Sequence, residues 1–230
     1  MELQHVFFDL DRTLWDFEKN SSETLIELFD SFNLNKRGIK SHEDFIKKYK
    51  KNNEELWSLY RIGKIEKKNL RNSRFNITLE EYGIFDLELS NRLADFYVNV
   101  CPKKTQLFPH ALSVLKHLQK KYQLHIITNG FQEVQHIKLK ASSLSPFFKE
   151  IITSEQLGVK KPNPAIFQYA IDKAKASVNT SIMIGDDLEV DVLGAKEFGM
   201  SQIYFNPENI YHNEIISYEI NCLSELLEIL

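Results

Sequence analysis

Val6-Phe7-Phe8-Asp9-Leu10-Asp11-Arg12-Thr13-Leu14 is the stretch that decides how this chain is read. Three apolar residues ending abruptly at an acidic one predict a short buried strand that opens into a polar loop. Carboxylates at that end matter, because open parallel sheets bind ligands beyond the carboxyl ends of their strands. Taken alone, Asp9-Leu10-Asp11 serves equally well as a strand end followed by an Asx-type cap. The surrounding chain decides between the two.

Beyond residue 105 strand-like and helix-like segments alternate. The pattern predicts helix over 111–122, strand over 124–128, helix over 132–141 and a short strand at Ile151-Ile152. Asn163-Pro164 reads as N-cap and first-turn proline of the next helix. Strand over 181–184, a helix through Val192 and Ala195, strand over 202–205 and a helix over 223–230 complete the chain. Such alternation implies an α/β fold, a Rossmann-like three-layer core with a parallel sheet between helices.

The stretch after the first strand reads instead as successive helices. Asn20-Ser21-Ser22-Glu23 and Ser41-His42-Glu43-Asp44 are capping signals, with further helices expected over 54–60, 64–82 and 87–100. The expected division is a core of residues 1–14 and 106–230 and an all-helical cap, residues 15–105, inserted after the first strand. The insertion holds 17 of the 29 basic and 15 of the 32 acidic residues, so the core is the acidic part.

Composition narrows the function classes. With 230 residues, 43% of them apolar, the chain can bury a substantial core, and its net charge of −3 offers no global attraction to nucleic acid or an anionic membrane. Cys101 and Cys222 stand apart from each other and from any histidine at ligand spacing, as expected of inert thiols in a reducing compartment. His5, His110, His125 and His136 show no metal spacing and are expected to be structural or exposed. The start, Met1-Glu2-Leu3-Gln4-His5, lacks a signal-peptide pattern, and the apolar runs are far short of a membrane span. The expectation is a cytoplasmic protein, monomeric or a small homo-oligomer.

Collecting the predicted strand ends gives Asp9 and Asp11 from the first, Thr128-Asn129-Gly130 from the second, and Gly185-Asp186-Asp187 with Asp191 from the fourth, with Lys160-Lys161-Pro162 between. Carboxylates so gathered repel strongly. Two unit charges 4 Å apart cost about 4 kcal/mol at an effective dielectric near 20. A cation must sit among them, and an oxygen-only donor set with no thiol or imidazole suits Mg²⁺. With a lysine nearby, such a site offers positive charge to a phosphate and a carboxylate as nucleophile.

In order and spacing these motifs resemble the haloacid dehalogenase superfamily, phosphatase branch. Asp9 through Leu14 matches Asp-x-Asp-x-Thr-Leu, Thr128-Asn129-Gly130 the second motif, Lys161-Pro162 the third, and Gly185 through Asp191 the pattern Gly-Asp-x-x-x-x-Asp. The resemblance implies a Mg²⁺-dependent phosphate monoester hydrolase working through an aspartyl-phosphate on Asp9. Asp11 would be general acid and base, and Lys161 would neutralise the transferred group. Asp9, the backbone carbonyl of Asp11, and Asp186 would hold Mg²⁺, with Asp187 and Asp191 as weaker, water-mediated contributors. Thr128 and the amides around Asn129 and Gly130 would bind phosphate oxygens.

The second Asp argues against a dehalogenase or a phosphonate-cleaving relative. A phosphomutase shares the whole site. A receiver-like signalling domain shares the acidic cluster but is far shorter and has no helical insertion. Residues 8–17, 55–65 and Asn72-Ser73-Arg74-Phe75 are also similar to bacterial pyrimidine 5′-nucleotidases, which implies a nucleoside monophosphate as the small phosphorylated partner. A broad sugar-phosphate phosphatase is the alternative. In the insertion, Arg61 and Lys64 are candidate substrate contacts, and its tryptophans and tyrosines are candidate stacking faces. The competing reading makes most of Arg61, Lys64, Arg71 and Arg74 a solvated basic face beside core aromatics.

Overall fold

The computed structural model describes residues 2–230. Among these, six strands form one parallel sheet: β1 (His5–Phe8), β2 (Gln123–Thr128), β3 (Phe148–Thr153), β4 (Ser181–Gly185), β5 (Ser201–Phe205) and β6 (Tyr218–Ile220). The helices are α1 (Phe17–Ser31), α2 (His42–Arg61), α3 (Lys67–Glu80), α4 (Leu87–Val100), α5 (Ala111–Leu118), α6 (Gln132–Ala141), α7 (Ser154–Leu157), α8 (Pro164–Ala174), α9 (Gly194–Glu197) and α10 (Leu226–Ile229). The chain divides into two compact units, Met1–Phe17 with Thr105–Leu230, and Glu18–Lys104. None of the helices is long and apolar enough to cross a membrane among the described residues.

Strand order is β3-β2-β1-β4-β5-β6. β1 has β2 on one side and β4 on the other, with Phe8 level with both Ile126 and Ile184. This is where the winding reverses direction, the place at which doubly wound sheets open a crevice at their carboxyl ends. Asp9 follows β1 and Asp186 follows β4, so topology delivers both to that crevice. β1 is a continuous apolar run because its residues are buried on both faces. On one face Phe7, Ile127 and Met183 pack with Ile166, Phe167 and Ala170 of α8. On β1 and β2 the imidazoles of His5 and His125 stack 5.3 Å apart, joined by a Nδ1–Nε2 hydrogen bond of 3.1 Å.

The helical unit is held by aromatic packing across three helices. Tyr49 of α2 lies 4.7 Å from Phe75 of α3 and 5.4 Å from Tyr97 of α4, centroid to centroid. Ser41 caps α2 by accepting from the Asp44 amide, and Asp86 caps α4 through the Leu89 amide. The other capping signal misleads. α1 already begins at Phe17, so Asn20 and Ser21 lie inside it, buried, and the Ser21 hydroxyl accepts from Tyr97 Oη at 2.8 Å. The two helices expected over 42–60 are one, and β6 lay in a stretch with no strand signal. Both cysteines are free.

Candidate active site

The site is built from the ends of β1, β2 and β4. Asp9 stays in the sheet's hydrogen-bond ladder, its amide donating to Ile184 O at 2.8 Å, while its side chain leaves the strand end. Lys161 comes from the loop before α8 and is 2% exposed. Its ammonium lies 2.6 Å from Asp9 Oδ1 and 2.6 Å from Asp191 Oδ1, and donates to Ile127 O at 2.8 Å. Three acceptors at these distances fix all three of its protons.

Asn129 explains how the lysine is held. Its side-chain oxygen accepts from the Lys161 amide at 2.9 Å and its side-chain nitrogen donates to Lys161 O at 3.0 Å, a two-point clamp on that backbone. The Lys161-Pro162 peptide is cis. Thr128, buried beside it, accepts the Gly130 amide on its hydroxyl at 3.0 Å and keeps its own O–H to donate.

Oxygens of Asp9, Asp186 and Asp191 lie within 4.8 Å of one another. Asp186 accepts from the Thr13 hydroxyl at 2.9 Å. Asp187 is turned to a local task, its Oδ1 accepting from the Glu189 and Val190 amides at the start of the π-helical turn Leu188–Leu193. That turn brings Asp191 back over Gly185. A Cβ on Gly185 would stand 2.3 Å from Asp191 Oδ2, so only glycine permits the approach.

The electrostatics are unbalanced. Burial pushes the Asp9 carboxyl up to about 7, with Lys161 pulling the other way and Asp191 and Asp11 adding repulsion. Asp186 is held well above the ordinary carboxylate range by burial and then by Asp9 and Asp191, against Arg12 and Thr13. Asp191 is raised by burial with Lys161 opposing. For Lys161, burial works against the charge, yet Asp191 and Asp9 hold its pKa above that of an ordinary lysine. Asp9 and Asp191 thus share the Lys161 ammonium, while Asp186, beside them, is opposed only by Arg12 and Thr13, and a cation among the three oxygens is what would keep all of them ionised. Oxygen-only donors of this kind fit Mg²⁺.

Asp11 faces elsewhere. Its Oδ2 accepts from Gln135 Nε2 at 2.8 Å and its Oδ1 from Lys138 Nζ at 2.5 Å. Both partners lie on α6, a segment that in the sequence reads only as a helix. A Cβ on Gly130 would sit 1.5 Å from Gln135 Nε2.

In the helical unit Arg61 donates to Glu54 Oε1 at 2.9 Å and Ser58 Oγ at 3.1 Å, while Lys64 is exposed. Arg71 pairs with Asp95 at 2.6 Å. Arg74 corrects the reading of a solvated face. It is 5% exposed, lies 5.1 Å from the Tyr97 ring centroid and donates to Asn53 Oδ1 at 3.3 Å. Trp15 corrects the reading of a stacking face. It is fully buried in the α/β unit, 4.3 Å from the Lys138 ammonium.

Comparison with known proteins gives the family. The model of the haloacid dehalogenase-like hydrolases matches residues 3–199. Pyrimidine 5′-nucleotidase YjjG of Escherichia coli is 29% identical over 100% of this chain and 99% of that protein. Pyrimidine 5′-nucleotidase PynA of Streptococcus pneumoniae is 30% identical over 100% of this chain and 96% of that protein. The magnesium-bound crystal structure of the HAD-hydrolase YfnB from Bacillus subtilis superposes with a TM-score of 0.89 at 31% identity, covering 100% of this chain and 99% of that one.

Proposed function

The chain belongs to the haloacid dehalogenase-like hydrolases, and from that premise we propose that it is a Mg²⁺-dependent phosphate monoester hydrolase acting on pyrimidine nucleoside 5′-monophosphates. The observation that carries the hydrolase reading is the second carboxylate. Asp11 lies two residues from Asp9 but is held by different partners, Gln135 and Lys138, outside the Asp9–Asp186–Asp191 cluster. An ester oxygen must be protonated as it leaves, whereas a halide leaves without a proton, so Asp11 has a use in ester hydrolysis.

In this mechanism an Asp9 oxygen attacks phosphorus, the bond from phosphorus to the ester oxygen breaks, and Asp11 gives its proton to that oxygen. An aspartyl-phosphate remains on Asp9. Asp11 then takes a proton from a water whose oxygen attacks the same phosphorus, the bond to Asp9 breaks, and inorganic phosphate is released. Lys161, fixed beside Asp9, offsets the charge of the transferred group. The Thr128 hydroxyl and the backbone around Asn129 and Gly130 hold phosphate oxygens. The Asn129 side chain contributes through its clamp on Lys161. Mg²⁺, held by Asp9, Asp186 and the Asp11 carbonyl with Asp191 alongside, would supply the second positive charge.

Two full-length relatives named pyrimidine 5′-nucleotidase support the nucleotide as substrate. We read the inserted helical unit, which the structure bounds at Glu18–Lys104 rather than residues 15–105, as the part that selects it, with Lys64 the more available of the two candidate contacts, since Arg61 is paired within α2. The test is kcat/KM across UMP, dUMP and dTMP against glucose 6-phosphate and a triose phosphate. The nucleotides are expected to lead. A sugar phosphate ahead of every nucleotide by tenfold would replace the substrate assignment and leave the chemistry standing.

A further inference from the structure

Resting on that hydrolase reading, we propose that Gln135 and Lys138 are positioning residues that hold the Asp11 carboxylate in its acid–base pose, and that Gly130 is required for Gln135 to reach it. The two residues sit three apart on α6 and so share one helical face. They are 1% and 4% exposed. Each engages a different oxygen of Asp11, at 2.8 and 2.5 Å. Two such bonds fix the plane of the carboxylate, and each oxygen retains a lone pair for exchanging a proton with substrate.

The anchorage is continuous with the catalytic loop. The Lys138 ammonium lies 4.3 Å from the Trp15 ring centroid and 5.7 Å from that of Phe17, both within cation–π range. Trp15 is bridged to Asp11, and its carbonyl accepts the Arg12 amide at 2.9 Å. The loop that carries Asp11 therefore also carries the ring on which the Asp11 partner rests. A buried ion pair is often no more stabilising than well-packed apolar residues of the same volume, so packing alone does not call for an ammonium here. Gly130 supplies the steric condition. The Gln135 amide occupies the volume that a Cβ at 130 would need, so the glycine after Asn129 leaves room for the helix to reach the acid.

Positioning is separable from packing because it acts only through Asp11. kcat/KM covers binding and the first chemical step, in which a poor alkoxide leaving group needs the proton and a p-nitrophenolate scarcely does. Lys138→Met is expected to lower kcat/KM for UMP about 100-fold, the scale of a catalytic group displaced by about 1 Å, and that for p-nitrophenyl phosphate less than tenfold. Lys138→Arg should recover most of the loss. In an Asp11→Asn background Lys138→Met should have little further effect on either ester. Gln135→Met should share the selectivity and stands in if Lys138→Met does not fold; Gly130→Ala, whose backbone also meets the phosphate, should lower both esters, UMP more than p-nitrophenyl phosphate.

Equal losses on both esters, undiminished in the Asp11→Asn background, would overturn the proposal while leaving the hydrolase intact. A wild-type chain inert toward every phosphate ester in Mg²⁺ would overturn the hydrolase reading, and this proposal with it.

Discussion

Asp9 and Asp11 are separated by one leucine and answer to different cations, Asp9 to Lys161 and Asp11 to Lys138. Because the two carboxylates are held by separate partners, one can be aimed for attack while the other is placed to exchange a proton. Asp11→Asn should therefore lower kcat/KM for UMP by about 10²–10⁴-fold and for p-nitrophenyl phosphate far less, measured side by side. Equal losses would confine Asp11 to the metal or the fold. At this scale the sequence spells out the charged residues at strand ends, because motif spacing and strand ends coincide. It does not spell out partners supplied by tertiary contact. Gln135 and Lys138 look like any polar residues on an amphipathic helix until the sheet brings α6 beside the first loop. Asp187 reads equally as metal ligand, outer contributor or helix cap, and its carboxylate does cap the turn that follows it.

Between elements, the junction of β4 with the π-helical turn is sterically exact at Gly185. Gly185→Ala would force Asp191 away from Lys161, and overpacking of this kind costs about 1–3 kcal/mol. The expected outcome is a lower melting temperature together with weaker Mg²⁺ dependence. Unchanged Mg²⁺ activation would mean that Asp191 has no part in the site. The His5–His125 pair gives a pH prediction. His125 is lowered from 6.5 to about 4 by burial first, then by His5 and Lys149. A histidine lowered in the folded state contributes stability that is full above 6.5 and is lost as pH falls toward 4. At about 1.4 kcal/mol per pKa unit this amounts to a few kcal/mol. Melting temperatures of wild type and His125→Leu should converge, or cross, between pH 7 and pH 4.5. Parallel acid limbs would remove the pair from the account. Elements with strong periodicity, such as α4 and α6, were legible to the residue. α1 was misplaced because Asn20 and Ser21 are cap residues by type but are buried as polar packing inside the helix, and β6 is too short to carry a pattern.

For the whole molecule, a metal held by the carboxylate cluster would tie stability to its binding. A ligand that binds only the folded state at a hundredfold excess over its Kd stabilises it by about 2.7 kcal/mol. For a chain of this length that is a rise of roughly 5–10 °C in melting temperature. Mg²⁺ should produce such a rise in the EDTA-treated wild type. It should produce much less in Asp186→Asn, whose metal-free form should be the more stable of the two because the amide removes a buried, repelled charge. No rise in the wild type would mean that the cluster does not bind the metal. The α/β class and the helical character of the inserted stretch were legible because periodicity survives at the length of whole elements. The winding of the sheet, which places Asp9 and Asp186 at one crevice, follows from strand order and is not written in any single segment. The central claim is that the Asp9 carboxylate takes the phosphoryl group, and turnover of UMP by Asp9→Asn in saturating Mg²⁺ tests it most directly. The account predicts no detectable phosphate release from a variant that remains folded at the assay temperature, whereas release within tenfold of the wild-type rate would contradict it.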